Sequence, residues 1–459
     1  MREKKDNNPT GIEGGKRILM ICYYFPPITD VGSLRSVHFS KYFRQYGWTP
    51  LVLTVSNPDR SYCAVGSEGP PDGVYVERSR SLVNPYKILG KINGLAARLL
   101  RLLGIDLARN RLYDLFCIPD IFLGWIPLTI LKAIDMAQRF DVDAVYVSCT
   151  PFSSAVIGAV VKRRTQKPLI VDFRDPYALE ERADLFDIPA YRRSIDRRIE
   201  RWVLRAADAF VTTTEETRDG YVRQYPEFRE KMHTVYNGFD ATDAPGGSLD
   251  KYDIFTIIYT GDFYLYTEKS ALFAGAFFDG ISRLLERGVI RPGTFRFLFY
   301  GDGFSTIEGL AREYRVESIV HASGRIPRKD VIEAIARSHF SLLRIIPPMI
   351  STKLFEVISL DTPFIATIPH GEAEEIIRAY SPASYIVTEP DGEAVAAAIR
   401  DGMERYRVGG DLPRNDLKGF SNHFSRERGA QRMMEIMDTV TEHARNDTEV
   451  APMNPAPER

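Results

Sequence analysis

Arg17-Ile18-Leu19-Met20-Ile21-Cys22-Tyr23-Tyr24-Phe25 is a continuous apolar run, followed by Pro26-Pro27-Ile28-Thr29-Asp30-Val31-Gly32-Ser33. A run without polar alternation suits a strand buried on both faces. After it, Phe39, Tyr42 and Phe43 recur at helical spacing, Gly47-Trp48 ends the helix, and Pro50-Leu51-Val52-Leu53-Thr54-Val55 forms the next strand. Strand, helix and strand in this order predict parallel pairing through a right-handed crossover.

The same alternation continues outward. Further strands are expected at Val74–Glu77, Ala144–Ser148, Leu169–Asp172, Ala209–Thr213 and His233–Val235. Asn237-Gly238-Phe239-Asp240 and Ala244-Pro245-Gly246-Gly247-Ser248 form a turn-rich break that reads as a linker. A second series opens at Thr256-Ile257-Ile258-Tyr259-Thr260-Gly261 and runs through Phe295–Tyr300, Ile319–Ser323, Phe340–Leu343, Phe364–Ala366 and Tyr385–Val387. The expected architecture is two α/β sheets in tandem with a cleft between them.

At 459 residues the chain has length for two ordinary domains, each with its own core. A net charge of −1 argues against a dedicated nucleic-acid binder. Cys22, Cys63, Cys117 and Cys149 are far apart and form no CxxC pair, which suits a reduced, cytosolic setting without structural zinc. The polar opening MREKKDNNPTGIEGGKR does not read as a signal peptide, and no apolar stretch is long enough to span a membrane. The tail from about Asn446, rich in Pro, Glu and Asn, reads as disordered. Between Tyr86 and Leu112, Ile92, Leu95, Leu99, Leu102 and Leu103 share one helical face, with Lys87, Lys91, Arg98, Arg101, Arg109 and Arg111 elsewhere. Such a basic amphipathic helix can lie on an anionic membrane surface, the alternative being a helix packed on its domain.

Several loops at strand ends carry polar chemistry. Gly32 precedes a helix and would allow close approach of a ligand to the helix N-terminus, although the full GxGxxG pattern is absent and a structural turn is the alternative. Asp172-Phe173-Arg174-Asp175-Pro176 follows an apolar strand, at the edge where open α/β sheets bind ligands. Its carboxylates could position a hydroxyl for proton transfer, or simply satisfy the arginine between them. Gly261-Asp262-Phe263-Tyr264 and Gly301-Asp302-Gly303 occupy the same position on their own strands, and Lys269 stands near a helix start. In Ile350-Ser351-Thr352-Lys353-Leu354-Phe355-Glu356, a cation and a carboxylate three residues apart could serve phosphate and ribose, or form a solvated helical pair. Asp141-Val142-Asp143 has the DxD form of metal-dependent sugar-nucleotide enzymes but reads as the polar loop before a buried strand. The histidines show no metal-ligand spacing, and no nucleophile elbow or Walker A sequence is present.

Taken in order, these pieces resemble a GT-B glycosyltransferase of the family 4 type over about residues 17 to 440. The signatures are Tyr23-Tyr24-Phe25-Pro26-Pro27 with Gly32 and Arg35, Val171-Asp172-Phe173-Arg174-Asp175-Pro176, Ala207-Asp208-Ala209-Phe210-Val211-Thr212-Thr213 and Val235-Tyr236-Asn237-Gly238-Phe239-Asp240. Tyr259-Thr260-Gly261, Tyr300-Gly301-Asp302-Gly303, Gly324-Arg325-Ile326-Pro327 and Lys353-Leu354-Phe355-Glu356 complete the set.

The resemblance implies two Rossmann-like, doubly wound parallel-sheet domains facing across a cleft. A tail over 1–16 leads into an acceptor domain over 17–243. A donor-nucleotide domain covers 249–420, a helix over 421–445 crosses back to the first domain, and 446–459 is a tail. The implied activity is metal-independent, retaining transfer of a sugar from a nucleoside-diphosphate sugar to a glycan or lipid-linked acceptor hydroxyl. No bound cofactor is implied, and the setting is the cytoplasm, at the inner face of the membrane if 86–112 makes contact. Gly32, Gly261, Lys269, Gly303, Lys353 and Glu356 are the implied donor-nucleotide residues. Lys269 matches the family's phosphate-contacting lysine, and Glu356 the second glutamate of its E-x7-E motif. Asp262 stands where many members have arginine, Pro348 where they have the first glutamate, and Phe152 where a histidine often follows the proline. Those departures leave Asp175 and Arg174 for the reacting centre. A catalytically silent module of the same fold and a sugar-nucleotide epimerase are the alternatives.

Overall fold

The computed structural model describes residues 15–29, 31–58, 69–82, 111–186, 188–241, 247, 249–263, 265, 267–345, 349–407 and 413–450. The chain divides into two compact units, one comprising 1–213, 217–235 and 430–459, the other 214–216 and 236–429.

The first unit is built on seven strands: β1 (Lys16–Cys22), β2 (Trp48–Val55), β3 (Tyr75–Ser79), β4 (Ala144–Cys149), β5 (Leu169–Phe173), β6 (Ala209–Thr212) and β7 (Met232–Thr234). They lie in the order β3-β2-β1-β4-β5-β6-β7, and every pairing is parallel. The β1 run explains itself. Alternate side chains point to opposite faces, so Leu19 and Ile21 enter one core layer with Leu53 and Val147. Ile18, Met20 and Cys22 enter the other with Val52 and Tyr146. All five of these β1 residues are fully buried, which is why the sequence there shows no alternation.

The second unit repeats the plan with six parallel strands: β8 (Phe255–Thr260), β9 (Phe295–Tyr300), β10 (Val320–Ser323), β11 (Phe340–Leu343), β12 (Phe364–Thr367) and β13 (Tyr385–Val387). Their order is β10-β9-β8-β11-β12-β13. Phe295, Phe297 and Phe299 fill one face with Phe277 and Phe278 from helix Glu268–Glu286. Ile258 and Leu298 face the other, against Leu354 and Phe355 of helix Thr352–Ser359. In each sheet the strand order reverses beside the first strand, between β1 and β4 and between β8 and β11. Ligands of open α/β sheets bind outside the carboxyl ends of the strands at such reversals.

Three expectations shift. Helix Val31–Gln45 starts earlier than expected, so Gly32 lies in its first turn, where helical backbone has negative φ, rather than in a ligand-facing loop. Phe239, read as part of the linker, is buried and bonded in place: its N–H donates to the Phe424 carbonyl (3.1 Å) and its carbonyl accepts from Arg426 N–H (2.8 Å). Helix Arg426–Val450 continues past Asn446, where the tail was expected to begin. Its Ala430, Met433, Ile436 and Met437 pack into the Ile18 and Met20 layer of the first unit. The stretch 86–112 lies almost wholly outside the described residues.

Candidate functional site

In the first unit, the strand-order reversal is held by Arg174, the residue after β5. Its guanidinium donates to the carbonyls of Gly32 (2.5 Å), Cys149 (3.2 Å) and Thr150 (2.7 Å). These carbonyls belong to the chain following β1 and to the end of β4, so one planar fork ties the edge together. Arg174 is thus engaged by backbone carbonyls, and the expected satisfaction by its neighbouring carboxylates is not what the structure shows. Asp172 turns inward instead, fully buried and gripped by Arg35 at both oxygens (2.7 and 3.0 Å) and by the Tyr146 hydroxyl (2.5 Å). Asp175 is half-buried and makes no hydrogen bond or ion pair among the described residues. Phe152 is core material, 4.3 Å from the Tyr177 ring and 5.4 Å from Phe173. The helix that begins beside it, Ser153–Thr165, is capped by Asp120, whose carboxylate accepts from the Ser153 N–H (2.9 Å) and hydroxyl (2.6 Å).

In the second unit, two glycine turns meet at the ends of β8 and β9. Gly261 has φ +87°, and its N–H donates to the Tyr300 carbonyl (2.7 Å). A Cβ on Gly301 would lie 2.2 Å from the Gly261 carbonyl oxygen, so only glycine fits there. A Cβ on Gly261 would lie 2.9 Å from Lys353 Cε and 3.0 Å from Nζ: the lysine lies directly on the turn. Lys353 is the second residue of helix Thr352–Ser359, whose N-cap Ser351 accepts from the Lys353 N–H (3.3 Å). Its ammonium sits 4.3 Å above the Tyr259 ring and 3.2 Å from the Tyr259 hydroxyl. Phosphate could therefore meet a cation seated on a glycine turn in a single place.

The remaining expected residues are placed as follows. Gly303, at φ +84°, is the N-cap of helix Phe304–Glu313. Lys269 is exposed in the first turn of helix Glu268–Glu286 and makes no hydrogen bond or ion pair among the described residues. Glu356 is not an unoccupied acceptor: Arg328 donates to it at 2.9 Å and Arg426 stands 3.9 Å away. Asp262 lies 4.0 Å from Arg325, which also pairs with Asp302. Asp141 and Asp143 are engaged by Lys167 and by Arg445 and the Arg17 N–H, as a structural loop would be. Among the described residues no group of His, Cys, Asp or Glu could hold a metal ion, and no helix is long and apolar enough to cross a membrane.

Residues 38–238 match the family model of the glycosyl transferase 4-like domain. The plan of two parallel sheets is that of the GT-B fold. Sequence comparison with curated proteins returns no match. Among solved structures, the chain is similar to Anabaena HepE in complex with UDP, at 12% identity and TM-score 0.61, covering 92% of this chain and 100% of that one. It is also similar to sucrose-phosphate synthase from Thermosynechococcus elongatus, at 14% identity and TM-score 0.64, covering 93% and 100%. A glycosyltransferase from Rickettsia africae stands at 14% identity and TM-score 0.60, covering 93% and 99%. At these identities the likeness is one of fold.

Four partners at these sites are not legible in the sequence. Arg35 was quoted without its buried carboxylate, and Asp120, Arg328 and Arg426 were not singled out at all. A lone acidic or basic residue carries no local signal of a partner far along the chain.

Proposed function

We propose that this glycosyltransferase moves a sugar from a nucleoside-diphosphate donor to a hydroxyl of a glycan or lipid-linked saccharide, with retention at the anomeric carbon and without a metal ion. The observation that carries the reading is Lys353 lying on the Gly261 turn at the strand-order reversal of the second sheet. There the diphosphate would meet an ammonium in a site shaped by glycine. Gly303 and Lys269 are assigned to the same donor site. Glu356, already held by arginines, would offer the ribose its remaining acceptor capacity. A UDP-bound neighbour of the same fold makes uridine donors the first to test.

In the step itself, the bond from the anomeric carbon to the diphosphate oxygen breaks and the acceptor oxygen bonds to that carbon on the same face. The acceptor's proton leaves with the departing diphosphate. We assign Asp175 to orient the acceptor hydroxyl and Arg174 to fix the loop that carries it. The basic amphipathic stretch 86–112 supports an acceptor at a cytoplasmic membrane surface. A thermal-shift screen of the full chain against UDP-, GDP-, ADP- and dTDP-sugars tests the donor reading, since a ligand that binds only the folded state raises its melting temperature. No shift with any of them would overturn it. Proton NMR of the product's anomeric signal decides retention.

A further inference from the structure

Helix Glu180–Leu185 follows the loop that carries Arg174 and Asp175. Its three carboxylates are all engaged from outside the helix: Glu180 by Arg193 (2.9 Å) and Arg197, Asp184 by Arg193 (2.6 Å), and Glu181 by Arg223 (3.2 Å). Its one arginine, Arg182, makes no ion pair among the described residues. Arg182 Nη1 donates to the Tyr177 carbonyl at 3.0 Å, and its guanidinium carbon lies 5.8 Å from the centroid of the Phe152 ring and 5.2 Å from that of Phe186. Nε and Nη2 bond to nothing else among the described residues, and Arg182 is half-buried. Four arginines thus stand against three carboxylates around this helix, and the one left over is Arg182.

Phe152 precedes the helix after β4, and Tyr177 lies in the loop after β5, so the guanidinium sits over the carboxyl ends of two paired strands. This is the edge at which open α/β sheets take ligands, and Tyr177 is two residues from Asp175. Ring faces hold a guanidinium by cation–π attraction without using its N–H groups. One N–H goes to the Tyr177 carbonyl, and the remaining donors keep the fork geometry that suits a carboxylate or a phosphate. The rings also keep water from part of the charge, so an oxyanion would meet it in a setting less screened than bulk water. Two opposite charges gain more there than a charge and a neutral hydroxyl do.

We propose that Arg182 binds an oxyanion carried by the acceptor, a phosphate or a carboxylate attached to the sugar that receives the transfer. This rests on the reading of the first unit as the acceptor's domain, and it names the acceptor's chemical class. Ligand-observed NMR titrations of the full chain measure the affinities of methyl glucoside, methyl glucuronide and glucose 1-phosphate. They compare the wild type, Arg182→Gln, Arg182→Lys and Lys353→Ala, with apo melting temperatures recorded alongside. The wild type is expected to bind at least one anionic sugar tenfold or more tightly than methyl glucoside. Arg182→Gln should abolish that preference while leaving methyl glucoside within twofold of wild type. Arg182→Lys should restore part of the preference, and Lys353→Ala should keep it. Support from glucose 1-phosphate alone points to a phosphate-linked carrier, and support from the glucuronide alone to an acidic glycan. A wild type with no preference for either anion would overturn the proposal, as would a preference that survives in Arg182→Gln. A preference lost in Lys353→Ala and kept in Arg182→Gln would place the anion at the donor site instead. Equal losses for all three sugars, with Arg182→Lys no better than Arg182→Gln, would also overturn it, reducing Arg182 to a fastener of the Tyr177 loop. None of these outcomes touches the donor reading, which stands or falls on the thermal-shift screen.

Discussion

Arg35 and Asp172 form a two-point contact inside the first unit, Nε to Oδ2 at 2.7 Å and Nη2 to Oδ1 at 3.0 Å, with neither side chain reaching solvent appreciably. The pair stands 137 residues apart in sequence and joins helix Val31–Gln45 to β5. Breaking one side leaves a charge in the interior. Arg35→Met is expected to lower stability by about 3–5 kcal/mol in urea unfolding. The double variant with Asp172→Asn should recover part of that loss, because the orphaned carboxylate is gone. A double variant no better than Arg35→Met would refute the pairing as the source.

Gly261 and Gly301 make opposite demands on a methyl group. At Gly261 the methyl meets the flexible end of Lys353, so Gly261→Ala should cost about 1 kcal/mol for its left-handed backbone. It should also weaken UDP binding by pushing the ammonium aside. At Gly301 it meets backbone, which cannot swing away, so Gly301→Ala should be the more destabilising of the two. Urea midpoints and UDP titrations of both variants check the order.

Lys353→Ala is expected to keep the fold and lose UDP affinity roughly tenfold, as for a charge-assisted contact. Glu356→Ala should behave differently: it takes an acceptor from Arg328 and a nearby carboxylate from the nearly buried Arg426, so melting temperature falls along with binding. Equal melting temperatures in the two variants would contradict this division of roles.

Glu200 gives the first unit a pH dependence. Fully buried, it accepts from the Ala178 N–H (2.9 Å) and from the hydroxyls of Tyr221 (2.8 Å) and Tyr225 (2.9 Å), and burial lifts its carboxyl to about 7 from an ordinary 4.5. Between those values the folded chain keeps a proton that the unfolded chain has released. Stability from this group therefore falls as pH rises through the window, and the loss is complete above about 7. The full effect is on the order of 3 kcal/mol. Glu200→Gln should remove it, so the stability of the wild type relative to the variant declines between pH 5 and 8. Parallel stability curves would disprove the assignment.

The strands were legible from their apolar runs: Phe295–Tyr300 and Phe340–Leu343 lie where those runs place them, as does the half-buried edge strand Tyr385–Val387. The start of helix Val31–Gln45 was not, because Gly32 suits a loop as well as a first turn and only the fold chooses. Lys353 was found as a motif residue, but its seat on Gly261 depends on two strands meeting. Glu356 was assigned to a ribose without Arg328, 28 residues upstream, since nothing local announces that pair. Arg182 stayed invisible for a like reason: an arginine among acidic neighbours is ordinary until each neighbour's partner is seen elsewhere.

Helix Arg426–Val450 has a bearing on how the protein is made. Met433 and Met437 cover the same layer as Ile18 and Met20, though a ribosome emits them some four hundred residues later, roughly half a minute or more at ordinary elongation rates. Through that interval the nascent first sheet carries an oily face with its cover still untranslated. A fragment cut between the two sheets would keep that face bare permanently, which makes the whole chain, rather than either half, the natural unit for expression.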